Sequence, residues 1–494
     1  MSARPSRSTS FFNLGEQFLE IARKRSNHPA IIQDNCQTTF GELSRTAQTI
    51  AKNLRQAPGW SVGDRVALQL VNSPSYAASF YGVLLAGGIV IPIPPALEDG
   101  RKQSILISTA CRHTISGLPH ELLPSIATTS GARVQTPDPP ENLAAIFFTS
   151  GSTGVPKGVM LSHSNLLSNT AAIQQYLKIQ ETDRTLALLP FFHAFGNSVL
   201  QTHLLAGATL VMAGSIAYPE TVVEALRRYQ ITSFSGVPDF FRLLLKHSRL
   251  GQVPIPQLRY VSVAGGCLKS ELIQQLSARI APAELFVMYG QTEATARLSY
   301  LPPKLLSSKS GSIGRGIQGV TLAVVDGHGN QISSGMTGEI RAKGPGVMLG
   351  YWNDPEGTRA ILRNGWLHTG DLGTVDDEGF IYPRGRANTL FKVAGYRVHP
   401  ADIEGVIGRL FPDTEVVAVP FEAVSSGTRV AIFMTSLRSD VPIDVRSVRA
   451  ACMTHLARHL LPAHIEILDQ WPLNSACKVD RATLSARAIE ACLR

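Results

Sequence analysis

The sequence predicts an α/β protein: a large N-terminal domain of parallel-rich sheets layered with helices, a β-rich subdomain, and a small α+β domain at the C-terminal end. Three observations carry that expectation. Between about 215 and 295, helical and strand-like periodicities alternate. After about Gly311 the chain turns to short strands separated by glycine-rich turns, and from about Asn388 a compact mixed segment follows. The chain has 494 residues, 44% of them hydrophobic, which is too long for one ordinary core and ample for two.

Residues 145–148 and 159–161 are short apolar, partly β-branched runs, and both predict strands. Helical periodicity resumes only near Ser164. Further on, 220–229 predicts a helix, 231–235 a strand, and 238–247 a helix with Pro238 in its first turn. Residues 259–264 predict a strand, 270–280 a helix and 284–289 a strand. Alternation of this kind builds a largely parallel sheet. The stretch Val375-Asp376-Asp377-Glu378-Gly379-Phe380 predicts a hairpin turn. In the last segment 390–393, 415–419 and 430–434 predict strands, and 400–410 and 443–459 predict helices. That segment has the size of an independent unit, which places two domains at 1–387 and 388–494.

The formal net charge is +9, from 46 Lys and Arg against 37 Asp and Glu. These cations are scattered singly through apolar-periodic segments, without basic runs or interleaved aromatics, so no nucleic acid partner is expected. A polyanionic small substrate accounts for the charge as well. The six cysteines stand far apart, with no CxxC pair and no metal-like cluster with histidine, which fits reduced thiols in a cytoplasm. The N-terminus is basic and Ser-rich but lacks the apolar core of an export signal. The longest apolar stretch, 83–93, contains two glycines and Pro92 and falls well short of the ~20 residues of a membrane helix.

The densest chemical signal is Thr149-Ser150-Gly151-Ser152-Thr153-Gly154-Val155-Pro156-Lys157-Gly158, which holds four hydroxyls, three glycines and a lysine. Glycines let backbone N–H groups converge on an anion, Ser and Thr add donors, and lysine adds full charge. A Walker loop demands G-x-x-x-x-G-K-[ST], and Pro156 stands where its second glycine belongs. Because this loop joins strand to strand, it has no helix N-terminus on which to rest a phosphate, and its own donors must do that work. The plain alternative is a Ser/Gly-rich surface turn.

Three other tracts decide between these readings. Tyr289-Gly290-Gln291-Thr292-Glu293 follows the end of a predicted strand, where open α/β sheets place their ligands. There Tyr289 can stack on a base, Thr292 can donate to a phosphate, and Glu293 can bind Mg²⁺ as a hard oxygen ligand. In Gly365-Trp366-Leu367-His368-Thr369-Gly370-Asp371, the acidic residue can accept from both ribose hydroxyls, or can simply form an Asx turn. The fourth tract runs from Gly385-Arg386-Ala387-Asn388 through Lys392 to Gly395-Tyr396, and by itself would be a solvated strand with two cations.

Together and in this order, the four tracts resemble those of the adenylate-forming superfamily of acyl-CoA synthetases, peptide-synthetase adenylation domains and firefly luciferase. The resemblance spans essentially the whole chain, from Thr38-Thr39-Phe40-Gly41-Glu42-Leu43 and Gly82-Val83-Leu84-Leu85-Ala86-Gly87-Gly88 to Asn474-Ser475-Ala476-Cys477-Lys478-Val479-Asp480-Arg481. In motif style it is nearest to fatty or aryl acid CoA ligases. It implies that a carboxylate and ATP form an acyl-adenylate and pyrophosphate, after which the acyl group passes to a thiol. ATP, Mg²⁺ and either CoA or a carrier protein's phosphopantetheine are the implied cofactors.

The same resemblance distributes roles. Lys478 reaches the carboxylate and α-phosphate in the first half-reaction. Lys392 serves the second, after the small C-terminal domain rotates about a hinge at Asn388. Thr149 to Gly154, Lys157 and Tyr289 to Glu293 bind ATP, with Asp371 and Arg386 on the ribose and Gly395 beside the thiol tunnel. His193, Gly265 and Gly266 line the acid pocket. The tract Leu189-Pro190-Phe191-Phe192-His193-Ala194-Phe195-Gly196 lacks the aspartate of amino-acid-activating members, which points to a fatty or aryl acid.

Two positions depart from the pattern: Asn388 where Asp or Lys is usual, and Cys477 where glycine precedes the catalytic lysine. A Cβ at 477 restricts the backbone that delivers Lys478. Two rival readings remain, an acyl-AMP ligase that loads an acyl carrier protein and a homologue that binds nucleotide or acyl ligand without turnover. A monomer or homodimer is expected in either case.

Overall fold

The computed structural model describes residues 13–117, 123–128, 139–140, 142–149, 156–266, 270–386, 391–393, 396–398, 400–423, 427–437, 443–473 and 479–493. Its architecture is the mixed α/β one that the alternating periodicity predicts. By compactness the chain divides into two units, one built from 1–238, 247–323 and 341–369, the other from 239–246, 324–340 and 370–494.

A nine-stranded sheet runs edge to edge through Arg315–Gly316, Ser299–Leu301, Glu284–Tyr289, Tyr260–Val263, Ser233–Gly236, Arg184–Leu186, Thr209–Met212, Pro29–Gln33 and Cys36–Thr39. The strands from Glu284–Tyr289 to Pro29–Gln33 are mutually parallel, and the antiparallel members lie at the two edges. Those parallel strands, three to six residues long, are buried along almost their whole length, Ser233–Gly236 included despite its two serines, as in sheets covered on both faces. A seven-stranded sheet runs through Gly350–Tyr351, Lys157–Ser162, Leu143–Thr149, Ile89–Pro92, Arg65–Gln69, His113–Ser116 and Ser125–Thr128.

Two sequence tracts that carry the resemblance turn out to build the core. Helix Phe40–Gln56 begins in a capping box, in which the Thr39 hydroxyl accepts from the Glu42 amide at 3.2 Å and the Thr39 amide donates to Glu42 Oε2 at 2.8 Å. Helix Pro74–Ala86 is apolar on almost every side and correspondingly buried. It stops at Gly87, whose left-handed φ of 83° turns its own N–H back to Leu84 O and that of Gly88 to Val83 O. Gly82 lets the two helices touch, since a Cβ there would stand 2.9 Å from Ala47 O and from Ile50 Cβ.

Helices Pro238–His247 and Ser270–Ile280 and strand Glu284–Tyr289 have the predicted bounds. The strand expected at 231–235 is Ser233–Gly236. Residues 230 and 231 are used to end the preceding helix: Gln230 takes φ 52°, and the Ile231 amide returns to Leu226 O at 3.0 Å. The helix expected over 443–459 is Val445–His455 followed by a separate turn, Arg458–Leu460, because Leu456 is extended. The predicted hairpin is present: Val375 pairs with Ile381, and Asp376 Oδ1 accepts from the amides of Glu378 and Phe380.

In the second unit, strands Thr414–Ala423, Gly427–Ser436 and His464–Ile467 form one sheet. Ile403, Ile407 and Val448 bury one of its faces, while Leu484 and Ala488 of helix Arg481–Leu493 bury the other. That helix and strand His464–Ile467 were not read from the sequence.

Candidate active site

Parallel strands share a direction, so their C-terminal ends lie along one edge of the sheet. Strands Arg184–Leu186, Ser233–Gly236, Tyr260–Val263 and Glu284–Tyr289 are adjacent, and three of them are followed by a tract singled out in the sequence. His193 comes after the first, Gly265 and Gly266 after the third, and Gly290 to Glu293 after the fourth. Gly265 has φ 89°, and Gly266 approaches Pro238 so closely that a Cβ would sit 3.1 Å from its ring.

His193 is the N-cap residue of helix Ala194–Leu205 and sets its ring against Phe192 with 4.7 Å between centroids. Gly196 permits this helix start, because a Cβ there would lie 2.1 Å from Pro190 O. After Tyr289 the chain makes a short 3-10 turn, Thr292–Ala294. Gly290 is obligatory for that turn, since its missing Cβ would fall 1.9 Å from Ala296 O.

The Ser/Gly-rich loop does join strand to strand. Strands Leu143–Thr149 and Lys157–Ser162 are antiparallel, and Thr149 opposite Lys157 is the pair that opens the loop. The Thr149 hydroxyl lies 3.5 Å from the Lys157 carbonyl. Ser150, Gly151, Ser152, Thr153 and Gly154 lie outside the described residues. Lys157 Nζ stands 4.8 Å above the ring of Tyr351 and 3.7 Å from Asp354 Oδ2. Tyr351 in turn donates from its hydroxyl to Glu293 Oε1 at 2.8 Å. A cation, an aromatic and a carboxylate from three distant segments thus form one array.

Backbone pairing holds the array in place. Gly350–Tyr351 pairs with Met160 and Val159, the Met348 amide donates to Glu293 O at 2.9 Å, and the Trp352 amide to Gly158 O at 2.7 Å. Tyr351 and Asp354 escaped the sequence reading. Their only local signal is the aromatic pair Tyr351-Trp352 after Gly350, and nothing in that spacing points to Lys157 or Glu293.

In the second unit, Asp371 lies within strand Trp366–Val375 rather than in an Asx turn. It faces Arg386 across the ladder, and Arg386 Nε donates to Asp371 Oδ1 at 2.9 Å. Asp371 is largely buried, whereas the Arg386 side chain is 61% exposed. Lys392 falls on strand Phe391–Val393. Lys478, Cys477, Asn388 and Gly395 lie outside the described residues.

Among the described residues no group of three or more His, Cys, Asp or Glu side chains could hold a metal ion, and no helix is long and apolar enough to cross a membrane. A single carboxylate is nonetheless enough for Mg²⁺ that arrives with a nucleotide, since the phosphates and waters supply its other oxygens. Glu293 fits that role.

Comparison with known proteins agrees with the geometry. The family model described as AMP-binding enzyme matches residues 18–352. The chain belongs to the AMP-binding enzyme family. This AMP-binding enzyme is 29% identical over 535 residues to a long-chain-fatty-acid–CoA ligase of Escherichia coli O157:H7, covering 96% of the chain and 94% of the relative. It is 28% identical over 491 residues to a feruloyl-CoA synthase of Amycolatopsis sp, covering 96% and 99%. Its fold superposes on the o-succinylbenzoate CoA synthetase of Bacillus subtilis in complex with the acyl-adenylate OSB-AMP with a TM-score of 0.80, at 25% identity and 95% and 97% coverage. The same Bacillus synthetase in complex with ATP and magnesium ion gives 0.79.

Proposed function

We propose that this AMP-binding enzyme is an ATP- and Mg²⁺-dependent acid–thiol ligase that converts a carboxylic acid to its acyl-adenylate and then to a thioester, with CoA as the thiol. The observation that carries the reading is the Lys157, Tyr351 and Glu293 array at the mouth of the Thr149 to Lys157 hairpin, in a chain of this family.

Carboxylate and α-phosphate are both anionic, so their approach needs positive charge where the transition state gathers negative charge. Lys157 holds the β- and γ-phosphates, which leave as pyrophosphate. Lys478 supplies the cation between carboxylate and α-phosphate. Glu293, with one oxygen fixed by Tyr351, offers the other to Mg²⁺, which neutralises phosphate charge when bound. Asp371, oriented by Arg386, accepts from the ribose hydroxyls. Lys392 serves thioester formation from the other face of a C-terminal domain that begins near Asn388. Free thiols at Cys36, Cys111, Cys452 and Cys492 are in keeping with a reducing, cytoplasmic setting.

The test is acid-dependent pyrophosphate release across short, long-chain and aryl acids, followed by thioester analysis with CoA and with a carrier protein. Release and a CoA thioester are expected. ATP binding without release for any acid would mean a binding homologue, and a thioester found only on the carrier would mean an acyl-AMP ligase. Lys478→Ala should abolish release yet spare thioester formation from supplied acyl-adenylate, and Lys392→Ala should do the reverse. Equal loss of both steps in either variant would remove that division of labour.

A further inference from the structure

The tract expected to wall the acid pocket is held by a side chain that the reaction above does not use. Leu189, Pro190 and Phe191 lead from strand Arg184–Leu186 to His193 and belong to no strand or helix, so their backbone groups must find partners elsewhere. Asn72 meets two of them. Its Nδ2 donates to Leu189 O at 2.9 Å and, more loosely, to Ala187 O at 3.4 Å, while its Oδ1 accepts from the Phe191 amide at 2.8 Å. Only this orientation of the amide serves both sides, since the reverse would set oxygen against oxygen and N–H against N–H. The Tyr76 hydroxyl donates to Phe191 O at 2.9 Å, and the His193 amide to Pro190 O at 3.2 Å. All three carbonyls of this stretch and the Phe191 amide are thereby bonded.

Asn72 is itself anchored. It follows strand Arg65–Gln69 of the seven-stranded sheet and immediately precedes Ser73, whose hydroxyl accepts from the Tyr76 amide at 3.2 Å and caps helix Pro74–Ala86. Tyr76 stands on the first turn of that helix and is fully buried, as is Phe191, with 5.5 Å between their ring centroids. One helix start therefore grips the acid tract from 119 residues away. What it grips also supports His193. A Cβ on Gly196 would lie 2.1 Å from Pro190 O and 2.8 Å from Leu189 O, so the first turn of helix Ala194–Leu205 rests on these same carbonyls. A displacement at Leu189 is passed on to the residue that caps that helix, His193.

We propose that Asn72 is a positioning residue for the acid substrate: it fixes Leu189 to Phe191, and through them the His193 wall of the acid pocket, without touching the reacting atoms. This rests on the acid–thiol ligase reading and on the place that reading gives the His193 tract. Without the two bonds, a buried amide and a buried carbonyl lose their partners, and the tract is free to leave its binding-competent arrangement. If about one molecule in ten keeps that arrangement, the apparent affinity for the acid falls about tenfold, whereas saturating acid restores the rate. ATP is held by other segments, the Thr149 to Lys157 hairpin and the Glu293 turn, so its affinity is unaffected.

The experiment is pyrophosphate release by the wild type and Asn72→Leu, a near-isosteric change that removes donor and acceptor together. The probe is whichever of butyrate, octanoate, palmitate, benzoate and ferulate the wild type turns over fastest. Asn72→Leu should raise the KM for that acid about tenfold, with the KM for ATP and kcat each within about twofold of wild type. An unchanged KM for the acid, whatever happens to the thermal midpoint, would make Asn72 a structural residue only and overturn the proposal. So would an equal rise in both KM values, or a loss confined to kcat. Should Asn72→Leu fail to fold, Asn72→Asp decides in its place: it keeps the acceptor for the Phe191 amide, loses the donor to Leu189 O, and should still raise the KM for the acid alone. No release with any acid, despite ATP binding, would overturn the ligase reading and this proposal with it.

Discussion

Tyr351 fixes the orientation of the carboxylate proposed to meet Mg²⁺, and its removal can be isolated from the rest of the site. In Tyr351→Phe the ring under Lys157 survives while the bond to Glu293 is lost. A hydrogen bond to a charged group is worth about 1.5–3 kcal/mol, so the Mg²⁺ concentration for half-maximal pyrophosphate release should rise about tenfold or more. An unchanged Mg²⁺ titration would separate Tyr351 from the metal. Asp371→Asn tests the ribose side. Its partner Arg386 is mostly exposed, so the pair contributes at most about 1 kcal/mol to folding. The variant should keep its thermal midpoint and raise the KM for ATP about tenfold, and a lowered midpoint with normal KM would make the pair structural.

Glycines separate what an element needs for packing from what it needs for the site. Gly82 and Gly290 are both positions of close approach, and both meet backbone: Ala47 O at 2.9 Å and Ala296 O at 1.9 Å from the hypothetical Cβ. Gly82→Ala should cost about 1–3 kcal/mol in denaturant unfolding and leave pyrophosphate release per folded molecule unchanged, since it only pushes two core helices apart. Gly290→Ala should cost activity first, because the turn that carries Thr292 and Glu293 must open; retained activity in a folded Gly290→Ala protein would contradict that. The elements from 219 to 289 were legible to within about two residues because their apolar periods are clean and proline and glycine punctuate them. Tyr351 was not legible, because it reaches Glu293 from 58 residues away through a two-residue strand with no period of its own.

For the whole molecule, two buried histidines predict how acid unfolds it. Burial pulls His163 and His203 down to about 4 from an ordinary 6.5. His163 Nδ1 accepts from the Leu14 amide at 3.2 Å, and His203 lies between Val199 O and the Tyr260 hydroxyl, so both are held neutral. The unfolded chain takes up these protons first, near pH 6.5, and the folded chain only near 4. Stability is therefore undiminished above about pH 6.5, falls as pH drops towards 4, and changes no further below that on their account, for a total on the order of a few kcal/mol. The thermal midpoint between pH 7 and 4 should follow this curve, and His163→Gln should flatten it; an equal slope in that variant would exclude His163.

The parallel pairing of Pro29–Gln33 with Thr209–Met212 also matters while the chain is being made. At roughly 5–20 residues per second, an emerging strand waits about ten to forty seconds for its neighbour to leave the ribosome, the N–H and C=O groups of that edge unpaired throughout. Long sequence separation between partners also slows the search once both are present. Synthesis of this enzyme should accordingly depend on holding chaperones during translation of the first two hundred or so residues, and nascent chains stalled before Thr209 should be readily cut by protease near Ile31 and Ile32 although those residues are buried in the finished fold.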